Sequence, residues 1–424
     1  MLTRLLNRLI RVGRLTIIGP DGRVKHYGES GKHELSPEVT VRLGGWLTPL
    51  RLALRPELIL GEAYMDGKLT IERGTLWDLL DLIGRNIQLQ GAQLPVSGGW
   101  FGQLSGRFRG KNTPGAARRN ASFHYDLSND FYRSFLDPDL QYSCAYFRQA
   151  DMSLAEAQEA KKKHIAAKLR LEPGMRVLDI GCGWGGLALT LAQRWGVDVV
   201  GVTLAERQLT LARERARASG LDNRVRFEML DYRHVEGRFD RIVSVGMFEH
   251  VGPTHYDEFF SSIHRLLADN GVALIHSIGS KDAPGPTNAW ITKYIFPGGH
   301  IPSLSQVTPA IERSGLWLTD VEILRLHYAE TLRFWRERFL ASRVEGGPMV
   351  ERRFRRMWEY YLAASEMGFR YLGLMNFQIQ LTRQIEAAPL TRDYMFQAEG
   401  PDAESGRRAK TKPSSEYLGA TSSS

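Results

Sequence analysis

The sequence predicts a doubly wound α/β domain with a mostly parallel sheet, preceded by a small α+β region. Three observations predict it. First, Arg176-Val-Leu-Asp-Ile-Gly-Cys-Gly-Trp-Gly-Gly186 reads as a buried strand, then a glycine turn, then a helix from Leu187 to Trp195. Second, strand 197–202, helix 205–218, strand 224–229, strand 239–245, helix 254–268 and strand 271–277 alternate along the chain. That order is what parallel strands joined by crossover helices produce. Third, Gly13 to Thr70 holds short strands with turn signals at Asp21-Gly22 and Asp66-Gly67, and an amphipathic helix follows over Leu76–Ile87.

A glycine turn between strand and helix lets a nucleotide-like ligand approach the backbone beside the positive helix end. Gly181, Gly183 and Gly186 formally satisfy a dinucleotide fingerprint. Two features argue instead for S-adenosylmethionine. The second strand ends in Thr203, where a ribose-binding acid is expected, and Asp179 sits inside the first strand just ahead of the glycines.

Ligands of open α/β sheets lie at the carboxyl ends of the strands. There the Gly181–Gly186 loop, Thr203–Gln208, Glu249-His250 and His276-Ser-Ile-Gly279 should converge. Thr203 and Gln208 can contact the ribose and amino-acid portions of the cofactor, and Asp231 can accept from an adenine amino group. The bland alternatives are helix capping for the first two and a solvated carboxylate for Asp231. Glu249 and His276 end neighbouring strands, so they could meet over the reacting methyl as a base or as groups that orient one. Taken singly, His276 is a structural histidine, Glu249 a helix-start charge and Cys144 a buried small apolar residue.

The 424 residues suggest two or three domains. A formal charge of +9 points to an anionic partner, either nucleic acid or an acidic membrane surface. Cys144 and Cys182 are the only cysteines and have no paired spacing. This argues against a disulfide framework or a metal site and for a reducing cytoplasm. No apolar run approaches the roughly 18 residues of a membrane span. Arg4, Arg8, Arg11 and Arg14 also interrupt any signal-peptide core. Met1–Arg14 places leucines on one side of a helix and arginines on the other, which suits either an anionic bilayer or packing on its own domain.

The domains expected are 1–104, a flexible basic linker over 105–119, a catalytic domain over 120–395 and a disordered tail over 396–424. Leu316–Leu326 reads as a late edge strand. Ala329–Ala387 reads as largely helical, with Arg333, Arg336, Arg338, Arg343, Arg352, Arg353, Arg355 and Arg356 as a solvated face or a headgroup contact.

Several long segments appear in order: Tyr142-Ser-Cys-Ala-Tyr-Phe147, Val177–Gly186, Gly201-Val-Thr-Leu204, Asp240–Gly252 and His276–Gly279. From about His124 to Thr391 the chain resembles the cyclopropane-fatty-acyl-phospholipid synthases and the mycolic acid cyclopropane synthases. Gly61-Glu-Ala-Tyr-Met-Asp-Gly67 resembles the N-terminal domain of the phospholipid enzymes, which the mycolic acid enzymes lack. The resemblance implies a Rossmann-like class I methyltransferase domain with a seven-stranded sheet. It also implies methylene transfer from S-adenosylmethionine to a cis double bond of a phospholipid acyl chain, with bound bicarbonate as the base.

Carried onto this sequence, Glu249, His276 and Tyr328 would hold that ion with backbone groups of Cys144 and Ile278. Tyr142, Ser143, Gly181, Cys182, Gly183, Thr203, Gln208, Asp231 and Tyr232 would bind the cofactor. Trp290–Ser303 resembles the apolar segment near the acyl-chain entrance. Two departures stand out: Ala205 replaces a serine after the second strand, and Ser365 stands where some relatives carry a cysteine. Dimers occur in this family, so a homodimer is one expectation, on the inner face of the plasma membrane. The competing readings are a lipid C-methyltransferase leaving a methyl or methylene branch, a small-molecule N-methyltransferase, an RNA methyltransferase and a silent lipid-surface protein. No stacking motif for RNA is present, so nucleic acid is not an expected partner.

Overall fold

The computed structural model describes residues 1–29, 38–91, 127–342 and 350–399. The expected basic linker, its flanks to Asp126 and Arg343 lie outside them. The helix Asp393–Glu399 carries order past the expected boundary at 395, and the rest of the tail is outside the described residues.

The N-terminal region is a helix α1 (Leu2–Leu9), strands β1 (Gly13–Ile18), β2 (Val24–Glu29) and β3 (Glu38–Leu43), helices α2 (Thr48–Leu54) and α3 (Pro56–Met65), strand β4 (Leu69–Arg73) and helix α4 (Leu76–Leu89). The strands form one sheet ordered β2-β1-β3-β4, with only the β1–β3 pair parallel. Alternation along the strands turns Leu15, Ile17, Val39 and Val41 to one face, where Leu6, Leu9, Ile59 and Leu79 cover them. The apolar stripe of α1 is thus packed on its own domain, while Arg4 and Arg8 remain exposed. Thr75 starts α4 with a reciprocal capping box to Asp78.

The second sheet has seven strands in the order β10-β11-β9-β8-β5-β6-β7. These are β5 (Arg176–Ile180), β6 (Asp198–Thr203), β7 (Val225–Met229), β8 (Phe239–Val245), β9 (Leu267–Ser280), β10 (Trp317–Ile323) and β11 (Leu374–Thr382). β5 to β9 pair in parallel, and β11 enters antiparallel between β9 and the edge strand β10. This is the doubly wound sheet expected, with one correction: β11 lies in a stretch expected to be largely helical. Its Leu-Met-Asn-Phe-Gln-Ile-Gln-Leu-Thr alternates polar and apolar residues. Both faces are buried, however, because Gln378 meets His276 and Gln380 meets the Lys168 carbonyl. That alternation is a strand pattern in its own right; what it does not show is that the polar side is buried as well.

The Gly61–Gly67 segment is where the N-terminal region meets the rest of the chain. A Cβ on Gly61 would stand 2.5 Å from the Trp290 indole nitrogen. Glu62 pairs with Lys293 at 2.7 Å, Tyr64 donates to Glu359 at 2.7 Å and Asp66 pairs with Arg353 at 2.9 Å. The arginine-rich stretch expected as a solvated face is therefore partly spent internally: Arg336 pairs with the buried Glu366, and Arg355 donates to the Ser342 carbonyl. Among the described residues, no helix is long and apolar enough to cross a membrane.

Candidate active site

Two cavities meet at the carboxyl ends of β5, β6, β8 and β9. The first, of about 200 Å³, is lined by all of Tyr142, Ser143, Gly181, Cys182, Gly183, Thr203, Gln208, Asp231 and Tyr232. The second, of about 640 Å³, is lined by all of Cys144, Glu249, His276, Ile278 and Tyr328. Tyr142, Ser143, Gly246 and His250 line both. They form the seam across which a group could pass.

Around the first cavity, Gly181 and Gly183 have φ of +84° and +55°, a conformation costly for residues with a Cβ. A Cβ on Gly183 would meet no protein atom within 4 Å, so the backbone there is bare to an approaching ligand. The helix Gly186–Trp195 begins directly beyond, with its amides towards this turn. Asp179 is buried, and burial lifts its carboxyl to about 7; its Oδ2 has no hydrogen-bond partner within the protein. An acceptor of that kind suits the ammonium of an amino-acid moiety, so the donor set fits S-adenosylmethionine. The Thr203 hydroxyl accepts from the Ala205 amide at 3.2 Å, a turn contact just ahead of the helix Glu206–Ala218, which has no side-chain cap. The Asp231 carboxylate is engaged by Arg233 at 2.7 and 2.8 Å. Although burial opposes it, Arg233 holds that carboxyl below its ordinary value.

The Tyr142–Phe147 segment is strapped from two sides. From the helix Leu154–Leu169, Lys161 donates to Gln141 at 2.7 Å and to the Ser143 hydroxyl at 2.8 Å. From the helix His327–Ala341, the Thr331 hydroxyl accepts from the Ala145 amide at 3.0 Å. Lys161 is fully buried, and burial pulls its ammonium down to about 8.

In the second cavity, Glu249 and His276 each have a partner other than one another. Ser277 donates to the Glu249 carboxylate at 2.9 Å. Burial raises Glu249 to about 7 and lowers His276 to about 3, so His276 is neutral at any physiological pH. Its ring nitrogens lie 3.2 Å from the Asn376 amide and 3.1 Å from that of Gln378. A neutral ring carries one N–H, so one of these amides turns its oxygen to it. Burial pushes the Cys144 thiol well above its usual range, which leaves it protonated and a poor nucleophile. Tyr328 packs on Phe369, and the Tyr142 hydroxyl lies 3.0 Å from that of Tyr361.

A family profile described as "Mycolic acid cyclopropane synthetase" matches residues 113–379. The cyclopropane-fatty-acyl-phospholipid synthase of Escherichia coli K12 is 42% identical over 346 residues, covering 79% of this chain and 86% of that protein. The chain belongs to the cyclopropane synthase family, a group of S-adenosylmethionine-dependent methyltransferases. The tuberculostearic acid methyltransferase of Mycobacterium tuberculosis is 37% identical over 340 residues, covering 76% of this chain and 78% of its own length. Among solved structures, mycolic acid cyclopropane synthase complexed with SAH and CTAB superposes with a TM-score of 0.58 at 36% identity. That likeness covers 62% of this chain and 97% of the solved one.

Sequence reasoning about this synthase missed four residues that the structure brings to the site. Lys161 belongs to Lys161-Lys-Lys-His164, a charge run that reads as a solvated face. Asn376 and Gln378 sit on the strand taken for helix. Ser277 was in view inside the His276–Gly279 motif, and its register after His276 was the available signal.

Proposed function

We propose that this protein transfers a methylene group from S-adenosylmethionine to the cis double bond of an unsaturated phospholipid acyl chain and closes a cyclopropane ring. The observation that carries the reading is the seam at Tyr142, Ser143, Gly246 and His250, where the cavity over the glycine turn opens into a larger, mainly apolar one. S-adenosylmethionine, when bound, supplies an electrophilic methyl; Gly181, Gly183, Thr203, Gln208, Asp231 and Tyr232 would hold it, with Tyr142, Ser143 and Cys182 at its side. The alkene would donate its π electrons to that methyl as the sulfur–methyl bond breaks and S-adenosylhomocysteine leaves, making the neighbouring alkene carbon cationic. Loss of one proton from the new methyl closes the ring. Aromatic faces of Tyr328, Tyr361 and Phe296 line this cavity and would stabilise the positive charge, while its apolar walls exclude water.

Bicarbonate, when bound, would supply the base. With burial holding Glu249 near neutrality, a carboxyl proton is available to an anion, and Tyr328 and the backbones of Cys144 and Ile278 complete the donor set. Both ring nitrogens of neutral His276 face Asn376 and Gln378, so the ring would reach that ion only by exchanging one of these contacts, and then as a hydrogen-bonding group and not as a charge. The N-terminal region and the apolar Trp290–Ser303 segment favour an intact membrane phospholipid. The protein would work at the cytoplasmic face of the membrane, and a homodimer would add avidity there.

Proton NMR of lipid recovered after incubation with S-adenosylmethionine and cis-unsaturated phospholipid vesicles tests this. High-field ring protons that vanish when bicarbonate is removed and return when it is restored are the result expected. Branch-methyl or vinyl signals would replace ring closure with C-methylation, a reading that the similarity to a tuberculostearic acid methyltransferase keeps in view. No lipid product would favour a small-molecule N-methyltransferase.

A further inference from the structure

Among the large exposed apolar side chains of the described residues, the greatest concentration lies in the N-terminal region, apart from a smaller group at Trp317 and Leu318. Trp46, Leu47, Leu50 and Leu54 are 76%, 68%, 49% and 56% exposed within a single loop and helix. Leu47, Leu50 and Leu54 recur at helical spacing, so they share the outer face of α2. The opposite side of α2 turns Leu52 into the wall of the large cavity, followed by Pro56 and Leu60 of α3. The apolar surface patch and the lipid-sized cavity are thus two sides of one helix.

The charge around this patch is mainly basic, with the exposed Glu57 at the start of α3 as an acidic exception. Neither Met1–Arg14 nor Trp46–Arg55 contains an acidic residue. Arg4 and Arg8 are exposed on α1, which packs against α2; Arg51 is exposed on α2 itself and Arg55 just past its end. Arg51 has one acid nearby, Glu62 at 3.7 Å. A tryptophan and leucines flanked by arginines form the chemistry that enters an anionic bilayer, with rings and aliphatic chains at the acyl boundary and guanidinium groups at the phosphates. Isolated exposed apolar residues need no explanation, but a basic-rimmed cluster does.

We propose that Trp46–Arg55, flanked by α1, is the surface by which this protein docks on an anionic phospholipid bilayer, bringing the wall of its lipid cavity against the membrane. This rests on the lipid reading above. It assigns the main contact to a segment separate from the Arg333–Arg356 stretch, several of whose arginines pair within the protein.

The test uses the full-length protein with vesicles of unsaturated phosphatidylglycerol and phosphatidylcholine, and with the same lipids dispersed in detergent. A W46S/L47S/L50S variant should lose about tenfold or more of vesicle flotation and vesicle turnover, yet keep detergent-dispersed turnover within about twofold. Unchanged flotation would overturn the proposal, and so would equal loss on both substrates, which would mean that the patch shapes the cavity. Dissociation of a wild-type dimer by these substitutions without loss of flotation would make the patch a contact between copies and would also overturn it. If the wild type turns over neither form of lipid, the lipid reading fails, while flotation still decides the docking surface.

Discussion

Ser277 donates its hydroxyl to Glu249 at 2.9 Å, tying the interior of β9 to the turn that follows β8. That turn carries a carboxyl group whose burial raises it from 4.5 to about 7. The folded protein therefore holds this proton more tightly than the unfolded chain. The resulting stability is complete below pH 4.5 and is lost as pH rises through about 7. At pH 8 the ionised, buried carboxylate costs about 3 kcal/mol by linkage. Glu249→Gln should accordingly melt at higher temperature than the wild type at pH 8, with the gap closing toward pH 5, while turnover falls by about a hundredfold or more. Calorimetry at the two pH values beside a turnover assay checks this, and a lower melting temperature at pH 8 would contradict it.

Lys161 should act through the segment it straps. Lys161→Met would take the donor from both Gln141 and Ser143, and an unpaired buried polar group costs about 1–3 kcal/mol. Cofactor affinity should drop about tenfold or more, read by titration calorimetry with S-adenosylhomocysteine, since 1.4 kcal/mol is a factor of ten. Unchanged affinity would reduce Lys161 to a core-filling role.

Gly183→Ala separates backbone freedom from ligand space. At φ +55° an added Cβ costs about 1 kcal/mol, and it meets no protein atom within 4 Å. The variant should fold with a melting temperature only slightly lowered and bind cofactor at least about tenfold more weakly, because the methyl occupies the bare approach to the turn. Full affinity would place the ligand elsewhere.

Gly61→Val tests the junction of the two regions. Its side chain would collide with Trp290 and Tyr360, whose nearest atoms lie 2.5 and 2.7 Å from an ideal Cβ. A loss of about 1–3 kcal/mol from overpacking is expected in thermal or urea unfolding. An unchanged midpoint would show that the junction yields without strain.

Much of the site was legible because its chemistry lies in contiguous motifs. The glycine turn, Thr203, Asp231, Glu249-His250 and His276 each follow a strand, and a parallel sheet must bring strand ends together. The position of Asp179 in its strand anticipated a buried acid beside the turn. Less legible was anything whose partner is distant in sequence. Nothing local to Asn376 or Gln378 indicates His276, which lies 100 and 102 residues away. Nothing in a lysine run shows that Lys161 points inward.

By itself the sequence determined the order of strands and helices, the glycine geometry of the first turn and the residue types available at the strand ends. These follow from local periodicity and backbone sterics, which short segments carry on their own. Only the tertiary structure decided that both faces of β11 are buried, that Glu249 is held by Ser277, and that α2 shows leucines to solvent on one side and a cavity on the other. Those outcomes depend on burial and on contacts between distant segments. Burial sets whether a carboxyl ionises near 4.5 or near 7, and it is a property of the packed molecule and not of any stretch of chain.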